Sequence, residues 1–134
     1  MRMPFFIFEG MNLSLPKAKR IKKRDDIKLL FTKGKRIQKH PIQLVYANRE
    51  SEEAGIKIGV SVPKRKFKKA VDRNRIKRLM REAYRINQGL ISNYNTTNNK
   101  CLLLMFVYIG KQAITYSEIE QKIVLLLQEL ESVD

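Results

Sequence analysis

An uninterrupted apolar run, residues 101–109, constrains the fold of this chain more than any other segment. Its length suits a β-strand, and Gly110 marks its end. A strand that lacks polar residues at alternate positions has no face suited to water, so the run predicts a central strand covered on both faces. The run is also about half as long as a bilayer-spanning helix requires. It therefore predicts a sheet between layers and no transmembrane segment.

Two further segments, residues 42–46 and 56–62, alternate apolar and other side chains as strands do. The residues before the first, 34–41, are predicted to form a turn, and the polar residues 48–55 suit a hairpin loop between the two strands. Gly59 leaves one face of the second strand without a bulky group, which would let another backbone or a nucleic-acid strand approach closely. A glycine that only makes room for a packed helix is an equal alternative.

Three segments repeat apolar residues with helical spacing. The first follows Asp25 and Asp26, which we interpret as the N-cap and first turn, and it ends at Gly34. The last is predicted to begin with a capping box of Ser117 and Glu120. Its apolar stripe comprises Ile119, Ile123, Leu126, Leu127 and Leu130. The order α-β-β-α-β-α predicts the α+β class, as an α-β sandwich in which a small mixed sheet carries about three helices.

The middle helix, residues 70–85, combines an apolar stripe with a cationic face. At about 100° per residue, Ile76, Leu79, Met80 and Ala83 fall on one side. The opposite arc holds Asn74, Lys77, Arg78, Arg81 and Arg85. Two acids, Asp72 and Glu82, are too few to neutralise this arc by pairing one turn apart. An ordinary solvated face is the alternative, but the uncompensated charge favours a polyanionic partner.

Positive charge is concentrated in one part of the chain. The formal net charge is +15, and residues 17–85 hold 24 Lys/Arg against 7 Asp/Glu, whereas residues 86–134 hold 3 against 5. This asymmetry indicates a nucleic-acid or anionic-membrane partner. Arginine grips phosphate with two donors, and a membrane-surface helix would need bulky apolar residues aimed at lipid, so we favour nucleic acid and expect no membrane partner.

Two basic segments accompany the middle helix. Residues 17–24 carry too many like charges to pack alone and are predicted to form an arm. Lys64, Arg65 and Lys66, followed by lysines at 68 and 69, crowd the connection that leads into the helix. Loop and helix together therefore predict one continuous positive surface.

The sequence offers no constellation of catalytic side chains. The single cysteine, Cys101, is interpreted as a small buried hydrophobe, and the single histidine, His40, as a solvated loop residue. One cysteine excludes an internal disulfide, so a reducing cytoplasm fits. Acidic residues are few and scattered, so we assign no catalytic residue and expect no two-metal nuclease site built by the chain.

Several segments resemble the protein subunit of bacterial ribonuclease P. The strongest signal is the triplet Arg73-Asn74-Arg75, set within a strand, a basic loop and a helix. The resemblance is carried by residues 15–20, 26–34, 44–46, 56–64, 70–71 and 73–82. It extends from about residue 15 to the last helix, although Ile27 stands where the family commonly has phenylalanine. The residues before Leu13 fall outside it, and residues 1–14 are predicted to be a flexible leader before a single RNA-binding domain, residues 15–134.

The resemblance implies a cytoplasmic ribonucleoprotein in tRNA processing. The chain would bind a catalytic RNA subunit and precursor tRNA, and it would support endonucleolytic, Mg²⁺-dependent hydrolysis that removes the 5′ leader. The RNA would hold most of the Mg²⁺ and perform catalysis, and no protein partner would be required. The implied fold is an α-β sandwich with a left-handed βαβ crossover, against the general right-handed preference.

Site residues follow from the cationic pattern and the resemblance together. Ile27, Phe31 and Tyr46 would line a cleft for the single-stranded leader, with ordinary core packing as the alternative for the two aromatic residues. The RNA-binding candidates are Lys64, Arg65, Lys66, Arg73, Asn74, Arg75, Lys77, Arg78, Arg81 and Arg85.

Two other functional classes remain open. A ribosomal or general RNA-binding protein would share the charge and the lack of catalytic groups, but it would not support leader cleavage. A protein-only nuclease would need its own carboxylates, for which the candidates are Asp25, Asp26, Asp72 and Glu82.

Overall fold

The computed structural model describes residues 19–50, 55–91 and 100–132. The elements are α1 (Arg24–Lys33), β1 (Lys35–Lys39), β2 (Ile42–Glu50), β3 (Gly55–Ser61), α2 (Ala70–Asn87), β4 (Lys100–Tyr108) and α3 (Tyr116–Ser132). The α+β class and the order of the predicted elements are confirmed, and β1 is an additional strand within the predicted turn. Among the described helices, none has the length and apolarity to cross a membrane. The flexible leader predicted for residues 1–14 lies outside the described residues.

Strand β4 lies inside the sheet, whose order is β1-β2-β4-β3. It pairs antiparallel with β2 and parallel with β3, so the sheet is mixed. The predicted hairpin between β2 and β3 is wrong, because the fully apolar β4 takes the place between them and pairs with both. The unit β3–α2–β4 is the βαβ unit whose left-handed crossover the resemblance implies.

The larger core lies between the sheet and the layer formed by α2 and α3. Alternate residues of β4 enter it, including Leu104 and Phe106, both fully buried. From α2 it receives Ile76, Met80, Ala83 and Tyr84. From α3 it receives the whole predicted stripe, Ile119, Ile123, Leu126, Leu127 and Leu130. The apolar face of α3 is confirmed, whereas Leu79 of α2 is only partly buried.

Helix α1 covers the opposite face of the sheet. Leu30 packs there with Val45, Cys101, Leu103 and Met105 in a second, smaller core. Burial raises the pKa of the Cys101 thiol, whose residue is 2% exposed. Both predictions about this region, a small buried cysteine and a strand covered on two faces, are confirmed.

The capping signals at the ends of α1 and α3 differ from the predictions. Asp25 and Asp26 lie in the first turn of α1, as predicted, but neither is the N-cap, which falls on Lys23. The Asp26 carboxylate instead lies 2.8 Å from Arg49 Nε. Helix α3 begins one residue before Ser117, so its cap is Thr115 instead. The Glu118 amide donates to Thr115 Oγ1 over 3.3 Å, and the Thr115 hydroxyl donates to the Glu118 carboxylate over 3.2 Å.

Part of the predicted basic arm is docked on the outer edge of β3. The amide of Ile21 donates to the carbonyl oxygen of Ile58 over 2.7 Å, and Arg20 forms a parallel bridge to the same residue. An edge strand presents unpaired backbone groups, which these residues satisfy. A Cβ added at Gly59 would lie 2.8 Å from Met105 Cε and 3.6 Å from Ile21 Cβ. The space beside this glycine is therefore filled by a side chain of the sheet and by the docked segment, and not by a helix.

A methyl group added at Gly34 is expected to disturb the docking of α1. Its Cβ would clash with the carbonyl oxygen of Leu30 and lie 2.8 Å from Val45 Cγ1, which is fixed in the smaller core. Gly34→Ala should lower the free energy of unfolding by about 1–3 kcal/mol, measured by urea denaturation.

Gly59→Ala is the matched control. Its added Cβ would lie 2.8 Å from Met105 Cε, the far end of a flexible side chain that can move away. Its loss of stability should be the smaller of the two, and equal losses would contradict the assignment of Gly34 as a rigid contact.

Candidate nucleic-acid interface

The connection between β3 and α2 and the first turns of α2 form one cationic surface. Its members share solvent-exposed side chains and no intervening carboxylate other than that of Asp72. They are Lys64, Arg65, Lys68, Lys69, Asn74, Arg75 and Arg78, which we call the α2 surface. The N-terminus of α2 adds the positive end of its helix dipole to this charge. The surface is therefore suited to a polyanion.

Two of the predicted RNA-binding residues hold the loop itself. Arg73 Nη1 donates to the carbonyl oxygens of Phe67 and Lys68 over 2.7 and 2.9 Å. Phe67 is buried and meets the Tyr108 ring edge to face, with ring centroids 5.7 Å apart. Lys66 Nζ donates to the carbonyl oxygen of Ile109. Both cations thus fix the shape of the connection that presents their neighbours to solvent.

The second half of α2 is less exposed and partly neutralised. Lys77 and Arg81 are half-buried, and the pKa of Arg81 is lowered, first by burial and then by the nearby charge of Arg20. Arg85 Nε donates to the Glu82 carboxylate over 3.1 Å, and this hydrogen bond is the main cause that raises the pKa of Arg85. Uncompensated charge is therefore strongest at the N-terminal half of the helix.

A second exposed surface lies on α1. Ile27 and Phe31, one turn apart, are 36% and 44% exposed. The guanidinium carbon of Arg36 lies 5.9 Å from the centroid of the Phe31 ring, and Arg36 Nη1 donates to Gln43 Oε1 over 3.2 Å. We call Ile27, Phe31, Arg36 and Gln43 the α1 surface. An exposed ring beside a cation can stack a base and contact a phosphate.

Tyr46 does not belong to the α1 surface. It is 8% exposed and packs in the larger core, on the α2 side of the sheet. Successive strand residues point to opposite faces, so Val45 faces α1 while Tyr46 faces away. The prediction of one cleft lined by Ile27, Phe31 and Tyr46 is therefore wrong for Tyr46, whose alternative, core packing, holds.

Arg36 and Gln43 were missed by the sequence reasoning. They lie on adjacent strands, with Arg36 opposite Val45 and Gln43 opposite Val107. A single apolar residue, Ile37, between polar residues was the only local sign of strand β1. From the sequence, residues 34–41 are predicted to form a turn instead. Without β1 there was no reason to place Arg36 next to Phe31.

The carboxylates do not assemble into a metal site. Within residues 19–50, 55–91 and 100–132, no group of three His, Cys, Asp or Glu side chains lies close enough to hold a metal ion. Asp26 contacts Arg49, and Glu82 contacts Arg85. These residues do not fit a Mg²⁺ site built by the chain's own described side chains.

Comparison with known proteins identifies the family of this chain. The family Ribonuclease P matches residues 15–131. The Ribonuclease P protein component of Porphyromonas gingivalis is 33% identical over 108 residues, which are 80% of this chain and 79% of that protein. The chain therefore belongs to the ribonuclease P protein family.

Solved structures show the same fold. The RNase P protein of Staphylococcus aureus aligns with a TM-score of 0.67 at 24% identity, over 88% of this chain and 100% of that chain. The RNase P protein of Thermotoga maritima aligns with a TM-score of 0.60 at 23% identity, over 82% of this chain and 96% of that chain. The arrangement of helices on a mixed sheet is thus shared across low sequence identity.

Removing Arg73 is expected to loosen the loop that carries the α2 surface. Arg73→Ala eliminates two charged hydrogen bonds to backbone carbonyls and should lower the free energy of unfolding by about 1–3 kcal/mol. Amide hydrogen exchange should also become faster in residues 64–69. The neighbouring Arg75→Ala removes an exposed arginine and should change neither measurement. Equal effects of the two variants would argue against a positioning role for Arg73.

Proposed function

We propose that this chain is the protein subunit of a ribonuclease P ribonucleoprotein, which removes the 5′ leader from precursor tRNA. The observation that carries the proposal is the α2 surface, a block of exposed cations on a chain of this family. The chain contributes RNA binding and substrate grip, and the RNA subunit contributes the catalytic groups. The complex works in the cytoplasm as an endoribonuclease and requires no further protein.

The α2 surface binds the RNA subunit. Arg75 and Arg78 lie one turn apart on the exposed side of α2, and the exposed Asn74, one turn before Arg78, adds an amide next to them. Guanidinium groups form paired hydrogen bonds to phosphate oxygens, and release of counterions from the RNA favours binding. Arg73 and Lys66 donate hydrogen bonds to backbone carbonyl oxygens and so hold the loop that presents this surface.

The α1 surface binds the single-stranded leader. Phe31 offers an exposed ring, Ile27 an apolar side chain beside it, and Arg36 a cation over the ring. Stacking on an aromatic side chain accepts any base, which suits leaders of many sequences. The isoleucine at position 27 makes this surface smaller in aromatic area than one with phenylalanine there.

The Mg²⁺ that the reaction needs is held mainly by the RNA subunit. When bound, it supplies charge stabilisation and an activated water for phosphodiester hydrolysis. The described side chains of this chain present cations and amides toward RNA, whereas Asp26 and Glu82 are paired with arginines. Its contribution is to neutralise phosphate repulsion where RNA and leader meet.

Reconstitution tests the proposal directly. The purified chain, its cognate RNA subunit and a precursor tRNA are combined at low Mg²⁺, and mature 5′ ends are measured. Cleavage is expected when protein and RNA are both present, and none is expected from the protein alone. Cleavage by the isolated chain would instead favour a protein-only nuclease, and RNA binding without any gain in cleavage would favour a general RNA-binding protein.

The salt dependence of RNA binding tests the α2 surface. Arg78→Ala removes an exposed cation and should reduce the slope of log affinity against log salt concentration by roughly 0.7–0.9. Lys100→Ala is the matched control, because Lys100 is an exposed cation at the start of β4, away from the α2 surface. Lys100→Ala should leave the slope unchanged. An unchanged slope in Arg78→Ala would remove Arg78 from the set of phosphate contacts.

A further inference from the structure

One ion pair joins α1 to the sheet inside the smaller core. Among the described residues, Asp26 is the single buried charged side chain, at 2% exposure, and its Oδ1 lies 2.8 Å from Arg49 Nε. Within the described residues, neither Asp26 Oδ2 nor Arg49 Nε has a hydrogen-bond partner, so the two side chains form an ion pair without a hydrogen bond between Oδ1 and Nε. Arg49 pairs in register with Cys101, whose side chain is buried. The Asp26 side chain is buried and that of Arg49 is partly buried, so the cost of desolvation offsets much of the attraction and the pair contributes little net stability.

The pair lies at one end of the contact between α1 and β2. At the other end, Gly34 packs against Val45, and the amide of Gly34 donates to the carbonyl oxygen of Leu30 over 2.9 Å. Asp26 to Gly34 spans about 12 Å along a helix, and Arg49 to Val45 spans about 13 Å along a strand. Helix and strand therefore run in opposite directions with matched lengths, and α1 is anchored at both ends.

The two anchors constrain α1 in different ways. Leu30 and Val45 make an apolar contact, which is non-directional and tolerates small rotations of the helix about its axis. The contact of Asp26 with Arg49 is an attraction of opposite charges localised at one point, where Oδ1 and Nε lie 2.8 Å apart without hydrogen-bond geometry, and it lies on the same side of α1 as Leu30, one turn away. It therefore fixes the rotation that determines where Ile27 and Phe31 point.

We propose that Asp26 and Arg49 are positioning residues, which orient α1 so that Phe31 and Ile27 contact the leader. This inference rests on the proposed function, and it assigns to the pair a role in substrate grip without any contact with RNA. Such an ion pair can fix the orientation of α1 on the sheet even though it adds little net stability.

The test compares substrates with and without a leader. Asp26→Leu/Arg49→Leu removes both charges together, so neither is left buried alone, and the fold should keep its thermal stability. In the reconstituted holoenzyme, the ratio of affinities for precursor tRNA and mature tRNA should fall about fivefold, toward that of Phe31→Ala. Affinity for the RNA subunit should stay the same.

The matched control removes a second ion pair, which also joins a strand to a helix within the described residues. Lys39 and Glu129 lie 3.4 Å apart between β1 and α3, on the far side of the sheet from α1. Lys39→Met/Glu129→Leu should leave the leader-dependent ratio unchanged. A normal ratio in the Asp26/Arg49 double variant, beside a reduced ratio in Phe31→Ala, would overturn the positioning role alone. Should the double variant not fold, Arg49→Lys keeps the charge and should show a smaller loss in the same direction.

A second measurement needs no RNA. The sequence contains no tryptophan, so Phe31→Trp introduces a single tryptophan on α1, which can be excited selectively over the five tyrosines. Its anisotropy in the free protein should fall when the Asp26/Arg49 pair is also removed, because α1 becomes freer to rotate. Unchanged anisotropy would overturn the positioning role. A fall in anisotropy together with a normal leader-dependent ratio in Phe31→Ala would retain the orienting effect and reject the α1 surface as the leader site.

Discussion

Burial of β4 on both faces is the constraint on which the other elements depend. One set of its side chains, including Leu104 and Phe106, needs the layer of α2 and α3, and the other set, including Leu103 and Met105, needs α1. No single layer can satisfy both sets, since alternate residues point in opposite directions. The pairing of β4 with β2 and β3 then fixes the positions of these two strands, and with them the start of the connection from β3 to α2.

This arrangement sorts the arginines and lysines into two groups. Some hold the structure: Arg49 contacts Asp26, Arg73 binds the loop carbonyls, and Arg85 binds Glu82. The others, such as Arg75 and Arg78, project from α2 into solvent. Their mutual repulsion opposes folding of the free chain, and a bound polyanion relieves it. The high net charge is therefore unfavourable in the free protein and is compensated when a polyanion is bound.

Much of the fold was predictable because the signals were local. The uninterrupted apolar run at 101–109 and the helical spacing of the apolar residues in α3 each indicate which side chains are buried. Strand β1 escaped prediction because it has one buried apolar residue, Ile37, among lysine, arginine and glutamine. The placement of β4 between β2 and β3 depends on pairings between segments far apart in sequence, which no local pattern encodes.

The candidate site was predictable to a smaller extent for the same reason. The cationic character of residues 64–78 is visible in composition, but the hydrogen bonds of Arg73 are not. The face on which Tyr46 lies depends on strand register, and a shift of one residue reverses it. Asp26 looked like a helix cap because acids are common there, whereas its partner Arg49 comes from another strand.

The central strand also sets the timing of folding. Strand β3 pairs with β4, although α2 and a 3₁₀ turn (Gln88–Ile91) lie between them in the sequence. During synthesis the basic residues 64–78 are made before β4, and neither core can close until β4 is present because both cores contain its side chains. Closing this long loop costs chain entropy before any pairing compensates, so the sheet forms late. The nascent chain therefore presents its cations to the surrounding RNA pool earlier than it presents a folded surface.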